Sequence, residues 1–66
     1  MYYDQKESGK RIAALRKEKG MTQEQLAERL NVSRRAITKW ETNKGIPDIA
    51  NLIAISDEFG LSLDEL

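Results

Sequence analysis

The chain contains no cysteine and no histidine. Their absence removes disulfides, the usual zinc ligands and the nucleophilic triads that depend on Cys or His. No uninterrupted apolar run exceeds four residues, which excludes a membrane span and the apolar core of a signal peptide. With 66 residues, the chain also has little room for a second domain or a deep catalytic cleft. We therefore expect one cytoplasmic domain, residues 1–66, that is not an enzyme and needs no metal or cofactor.

The formal net charge of zero conceals two oppositely charged halves. Residues 1–44 contain all eleven basic residues and six acidic ones, so their formal charge is +5. Residues 45–66 contain five acidic residues and no basic residue. A neutral chain argues against a nucleic-acid partner, but a separate basic half is compatible with one.

Capping residues and helix stops predict short helices and no strands. The predicted boundaries are Asp4 to Gly20, Thr22 to Asn31, Ser33 to Asn43 and Asp48 to Gly60. Thr22 and Gln25 have the spacing of a capping box, and so do Ser62 and Glu65. Since only Leu66 follows Glu65, this last signal indicates either the N-terminal part of a longer parent chain or a short terminal turn that packs on the core.

The predicted third helix has two chemically different faces. Its polar face spans an arc of about 140° and holds Arg34, Arg35, Thr38, Lys39 and Thr42. Its opposite, apolar face holds Ala36, Ile37 and Trp40. Three cations without an acid suit an anionic partner such as DNA. In the major groove, an Arg side chain can bridge O6 and N7 of guanine, and the methyl group of Thr can contact the methyl group of thymine. The alternative is a charged face that only keeps the helix in solvent.

The run from Met21 to Glu41, MTQEQLAERLNVSRRAITKWE, resembles the helix-turn-helix of Cro and the phage repressors, the XRE family. The similarity extends upstream to Ile12 and downstream to the end of the chain. This resemblance implies an all-α fold, a compact five-helix bundle of the lambda-repressor-like type in which helices 2 and 3 form the helix-turn-helix. It also implies a sequence-specific transcriptional regulator, a repressor, that binds a double-stranded operator as a homodimer.

The resemblance implies roles for individual residues. Base reading is expected of Arg34, Arg35, Thr38 and Lys39, among which Arg34 is the candidate for a phosphate contact instead. Phosphate contacts are expected of Thr22, Gln23, Ser33, Asn43 and Lys44, against the alternative of ordinary polar surface. Arg16 and Glu41 are expected to form the ion pair that ties the first helix to the end of the third, and the alternative for Arg16 is a DNA contact.

The acidic half is expected to face away from DNA and to carry the dimer surface. Its candidate contact residues are Ile46, Ile53, Leu61, Leu63 and Leu66. An alternative function is a protein-binding module, such as the antitoxin of a toxin–antitoxin pair, which the apolar end after Gly60 keeps open. Carboxylates such as Asp57 and Glu58 are sequence neighbours and point in different directions on a helix, so they do not suggest catalysis.

Overall fold

A computed structural model describes residues 5–62 of the chain and the side chains of residues 8–62. The helices are α1 (Gln5–Glu18), α2 (Gln23–Leu30), α3 (Arg34–Glu41) and α4 (Ile49–Phe59). Residues 5–62 contain no strand, so the all-α prediction is confirmed. Among these helices, none is both long and apolar enough to cross a membrane.

The prediction of five helices is wrong, because residues 5–62 form four. The resemblance implies a fifth helix, for which the sequence offers only the capping box of Ser62 and Glu65. Residues 63–66 lie outside the described part of the chain, as does the predicted first cap, Asp4. The predicted helix-turn-helix is present, formed by α2 and α3.

The helix ends follow the capping chemistry of the sequence. The caps of α2, α3 and α4 are Thr22, Ser33 and Asp48, whose side-chain oxygens accept the N–H three residues ahead at 3.0, 3.1 and 2.9 Å. Asn31 ends α2 with a φ of 57°, in the left-handed conformation that Asn tolerates better than most residues. These contacts fix the three-residue turn between α2 and α3.

All four helices contribute to one hydrophobic core. Its buried members are Ile12, Leu26, Ala27, Leu30, Ile37, Trp40, Ile55 and Phe59. Burying each large aliphatic or aromatic side chain stabilises the fold by about 1.5–3 kcal/mol. Because Ile37 and Trp40 are 0% and 7% exposed, α3 is anchored by its apolar face, and the burial predicted for Trp40 is confirmed.

Gly9 allows α1 to approach the C-terminal end of α3. A methyl group added at Gly9 would lie 2.5 Å from the carbonyl oxygen of Trp40 and 2.5 Å from Oδ1 of Asn43. Glycine inside a helix is about 1 kcal/mol less favourable than alanine in intrinsic helix propensity. The close contact explains why this position has no side chain.

We expect Gly9→Ala to lower the free energy of unfolding by about 1–2 kcal/mol. Overpacking costs about 1–3 kcal/mol, and a contact with a backbone carbonyl, which cannot move aside like a side chain, lies in the upper part of that range, so the cost exceeds the gain of about 1 kcal/mol in helix propensity. Urea denaturation followed by circular dichroism measures this change. Gly45→Ala is the matched control, because its added methyl would meet only Lys39 Cβ, at an ordinary 3.7 Å. A Gly9→Ala variant as stable as the wild type would contradict the close approach.

Candidate nucleic-acid interface

The polar side chains predicted on the third helix form one exposed face of α3. Arg34, Arg35, Thr38 and Lys39 are all exposed, while the apolar side of the helix is buried. The single acidic residue of α3, Glu41, is half-buried and paired with Arg16. The structure therefore brings together the four predicted base-reading residues on a surface that carries three cations.

The N-terminal ends of α2 and α3 present hydroxyl groups beside free backbone amides. The hydroxyl oxygens of Thr22 and Ser33 each accept a backbone N–H as a helix cap. Each hydroxyl retains a proton to donate, and a helix N-terminus carries partial positive charge. This chemistry suits a phosphate oxygen.

Gln23, the first residue of α2, bridges α2 and α3. Its Nε2 donates to Oε1 of Glu41 at 3.0 Å, and its Oε1 accepts from Oγ1 of Thr38 at 3.1 Å. Sequence reasoning missed both contacts, because the partners are 18 and 15 residues away and nothing in the local pattern pairs them. The half-buried Gln23 side chain is therefore part of an internal network as well as a predicted phosphate ligand.

Arg16 and Glu41 form a bidentate ion pair between α1 and the end of α3. Arg16 Nε lies 2.7 Å from Oε2 of Glu41, and Nη2 lies 3.0 Å from Oε1. The third nitrogen, Nη1, donates to the carbonyl oxygen of Met21 at 2.9 Å, just before α2. The hydrogen bond to Glu41 raises the pKa of Arg16, against the lowering effect of desolvation. One guanidinium thus joins α1, the start of α2 and the end of α3.

The two residues predicted to hold the flanking backbone lie in different surroundings. Asn43 is half-buried, has a φ of 61°, and directs its side-chain oxygen toward Gly9 of α1. Lys44 is exposed, and its backbone N–H donates to the carbonyl oxygen of Lys39 at 2.8 Å. The structure therefore places the Lys44 ammonium group on the surface just beyond α3, whereas Asn43 packs against α1.

A second exposed surface is apolar and belongs to the acidic half. Ile46, Ile49 and Ile53 are 52%, 65% and 45% exposed, and the last two are one helical turn apart on α4. Ile49, the first residue of α4, was missed as a surface residue because the sequence pattern counts it among the apolar residues of the helix. Leu61 is half-buried against the core, and the other predicted dimer residues, Leu63 and Leu66, lie outside the described residues.

Comparison with known sequences assigns the chain to a protein family. Residues 12–66 match the family model described as helix-turn-helix. The chain belongs to the helix-turn-helix family. This membership confirms the predicted resemblance to the Cro and phage-repressor type, and the family's members provide the context for the exposed face of α3.

The curated relatives are transcriptional regulators. The chain is 50% identical over 60 residues to the HTH-type transcriptional activator BcrR of Enterococcus faecalis, covering 91% of this chain and 29% of that protein. It is 38% identical over 56 residues to the cryptic phage CTXphi transcriptional repressor RstR of Vibrio cholerae, covering 85% of this chain and 50% of that protein. The chain thus spans half or less of the length of these relatives.

Solved structures of repressors share the fold. The P22 c2 repressor in complex with a synthetic operator has a TM-score of 0.82 and 37% sequence identity, covering 86% of each chain. SinR, the master regulator for biofilm formation, was solved in complex with DNA. It has a TM-score of 0.77 and 33% sequence identity, covering 85% of this chain and 90% of that one. At these identities the family's helix arrangement, including the helix-turn-helix, is common to all three chains.

Proposed function

We propose that this chain is the DNA-binding domain of a transcriptional regulator that places α3 in the major groove of an operator. The observation that carries the proposal is the exposed, acid-free face of α3, fixed from behind by its buried apolar side. Relatives that bind operator DNA or are named as transcriptional regulators support it. The prediction that the chain is not an enzyme is confirmed by the same family.

Base reading is assigned to Arg34, Arg35, Thr38 and Lys39. The two arginines match the fork geometry of guanine O6 and N7, and Lys39 reaches single acceptors. Arg34 lies in the first turn of α3, nearest to the helix start, which also suits a phosphate contact.

Phosphate contacts are assigned to the helix starts and to the segment after α3. The proposed residues are Thr22, Gln23, Ser33, Asn43 and Lys44. Thr22 and Ser33 would donate their hydroxyl protons, and Gln23 would donate the second hydrogen of its Nε2. Lys44 is an exposed cation, so its contribution would release a counterion and depend on salt.

We also propose that the chain binds DNA as a homodimer through the apolar surface of Ile46, Ile49 and Ile53. A single small module buries too little surface for tight selective binding, so two copies on a roughly palindromic site are favoured. This surface lies in the half without basic residues, so it does not compete with the phosphate backbone. Repression is the proposed outcome, because operator occupancy alone achieves it, and the proposed location is the cytoplasm.

Selection of bound duplexes from a random pool tests this function. We expect a palindromic motif with half-site centres about one helical turn apart, roughly 34–36 Å. Fluorescence titrations of the selected duplex and of a scrambled duplex should then differ in affinity, and both should weaken with salt. Equal affinity for the two duplexes at every salt concentration would overturn sequence-specific recognition, and a motif with one half-site would overturn the dimer alone.

A further inference from the structure

A continuous chain of hydrogen bonds runs from the protein interior to the exposed face of α3. It begins at the half-buried Arg16, which donates to both oxygens of Glu41. Glu41 Oε1 also accepts from Nε2 of Gln23, and Oε1 of Gln23 accepts from the hydroxyl of Thr38. The last member, Thr38, is exposed on the surface proposed to meet DNA.

The ion pair sets the direction of donation along this chain. A carboxylate paired with a guanidinium only accepts hydrogen bonds, so Gln23 turns its NH2 group toward Glu41. The amide oxygen of Gln23 consequently faces Thr38, and the Thr38 hydroxyl must donate. A reversed amide would place the Gln23 oxygen against the carboxylate oxygens of Glu41. Two acceptors would then face each other without a proton, which is unfavourable in this half-buried position.

The single hydroxyl proton of Thr38 is directed toward the protein. Its two acceptors are Oε1 of Gln23 at 3.1 Å and the carbonyl oxygen of Arg34 at 3.2 Å. Whichever of them takes the proton, the exposed side of the hydroxyl oxygen carries lone pairs. Toward solvent, Thr38 is thus a hydrogen-bond acceptor.

We propose that Thr38 reads DNA as an acceptor only, and that Gln23, oriented by Glu41, is the positioning residue that holds the Thr38 proton away from DNA together with the carbonyl oxygen of Arg34. The inference rests on the proposed function, since it requires α3 in the major groove. There, the amino groups at N6 of adenine and N4 of cytosine are the donors, whereas guanine and thymine offer acceptors. The base opposite Thr38 is therefore adenine or cytosine.

Duplex selection with the wild type and two Thr38 variants tests the acceptor role. Thr38→Val keeps the branched shape and removes the hydroxyl, whereas Thr38→Ser keeps the hydroxyl and removes the methyl group. In the wild type and in Thr38→Ser, we expect adenine or cytosine at one position of each half-site, preferred about fivefold over guanine or thymine. In Thr38→Val, that preference should disappear while the other positions keep theirs.

Removing the amino group from the DNA provides a second readout. Purine replaces adenine, or 2-pyrimidinone replaces cytosine, at the position that depends on Thr38. Binding by the wild type should weaken about fivefold, and binding by Thr38→Val should not change.

Gln23→Met tests the positioning role. Because the carbonyl oxygen of Arg34 remains as an acceptor for the Thr38 proton, the preference at the same position should fall below that of the wild type without reversing. Circular dichroism and melting temperature verify that the variant is folded. Equal weakening on all duplexes, with the base preference intact, would make Gln23 a phosphate ligand only and overturn its positioning role.

The outcomes separate the inference from the function on which it rests. A wild-type chain that selects no motif overturns the proposed function and the inference together. A motif with no position that depends on Thr38, or wild-type binding that does not weaken when the amino group at that position is removed, overturns the inference alone. So does a preference that survives in Thr38→Val and is lost in Thr38→Ser, because the methyl group would then be the reading group.

Discussion

Arg16→Met is expected to lower the free energy of unfolding by about 3 kcal/mol. Methionine retains most of the apolar stem of arginine, but it leaves the Glu41 carboxylate without a countercharge in a site where its side chain is only 6% exposed. For a domain of this size, such a loss lowers the melting temperature by about 12–24 °C. Thermal and urea denaturation followed by circular dichroism measure both quantities.

The chain supplies a matched control for this substitution. Arg29 and Glu58 form an ion pair of similar length, 2.8 Å, but the Arg29 side chain is 63% exposed. Arg29→Met should therefore cost less than about 1 kcal/mol, since water screens exposed pairs. Equal losses in the two variants would show that burial is not what makes the Arg16 pair important. In a double variant of Arg16→Met and Glu41→Leu, part of the stability should return, because no unpaired charge remains.

Arg35→Ala is expected to relax base preference at one position of each half-site. A bidentate arginine–guanine contact discriminates by about 1–3 kcal/mol, which corresponds to a loss of selectivity of about 5- to 150-fold.

Lys44→Ala should act differently, weakening all duplexes alike and reducing the slope of log affinity against log salt by about 1. Titration of matched and single-mismatch duplexes at several salt concentrations separates the two effects.

Arg29→Ala is the control for charge in these titrations. It removes one positive charge, as the other two substitutions do, but Arg29 donates to Glu58 on α4 and not to the face of α3. Base preference should therefore be unchanged in this variant. If Arg35→Ala and Arg29→Ala had the same effect on every duplex, Arg35 would not be a base-reading residue.

Local chemistry made much of this fold predictable. The caps Thr22, Ser33 and Asp48 act on amides only three residues ahead, and the left-handed position of Asn31 depends on the tolerance of one residue type. The two faces of α3 follow from helical periodicity alone. A helix-turn-helix could thus be inferred before any tertiary contact was known.

The remaining features depend on contacts between distant segments. Gly9 reads as an unfavourable helix residue until α1 is seen against the carbonyl of Trp40. Gln23 reads as an exposed polar residue until Glu41 and Thr38 are placed around it. The five-helix prediction came from the family resemblance, and it is wrong because residues 5–62 form four helices.

The link between Gln23 and Thr38 constrains how a new operator preference could be engineered or evolve. A substitution at Thr38 alone leaves the amide oxygen of Gln23 without its donor, and so also alters the contact that joins α2 to α3. Libraries that randomise only the exposed residues of α3 would discard variants whose failure arises in α2. Positions 23 and 38 should therefore be varied together, as a single unit of recognition that two helices share.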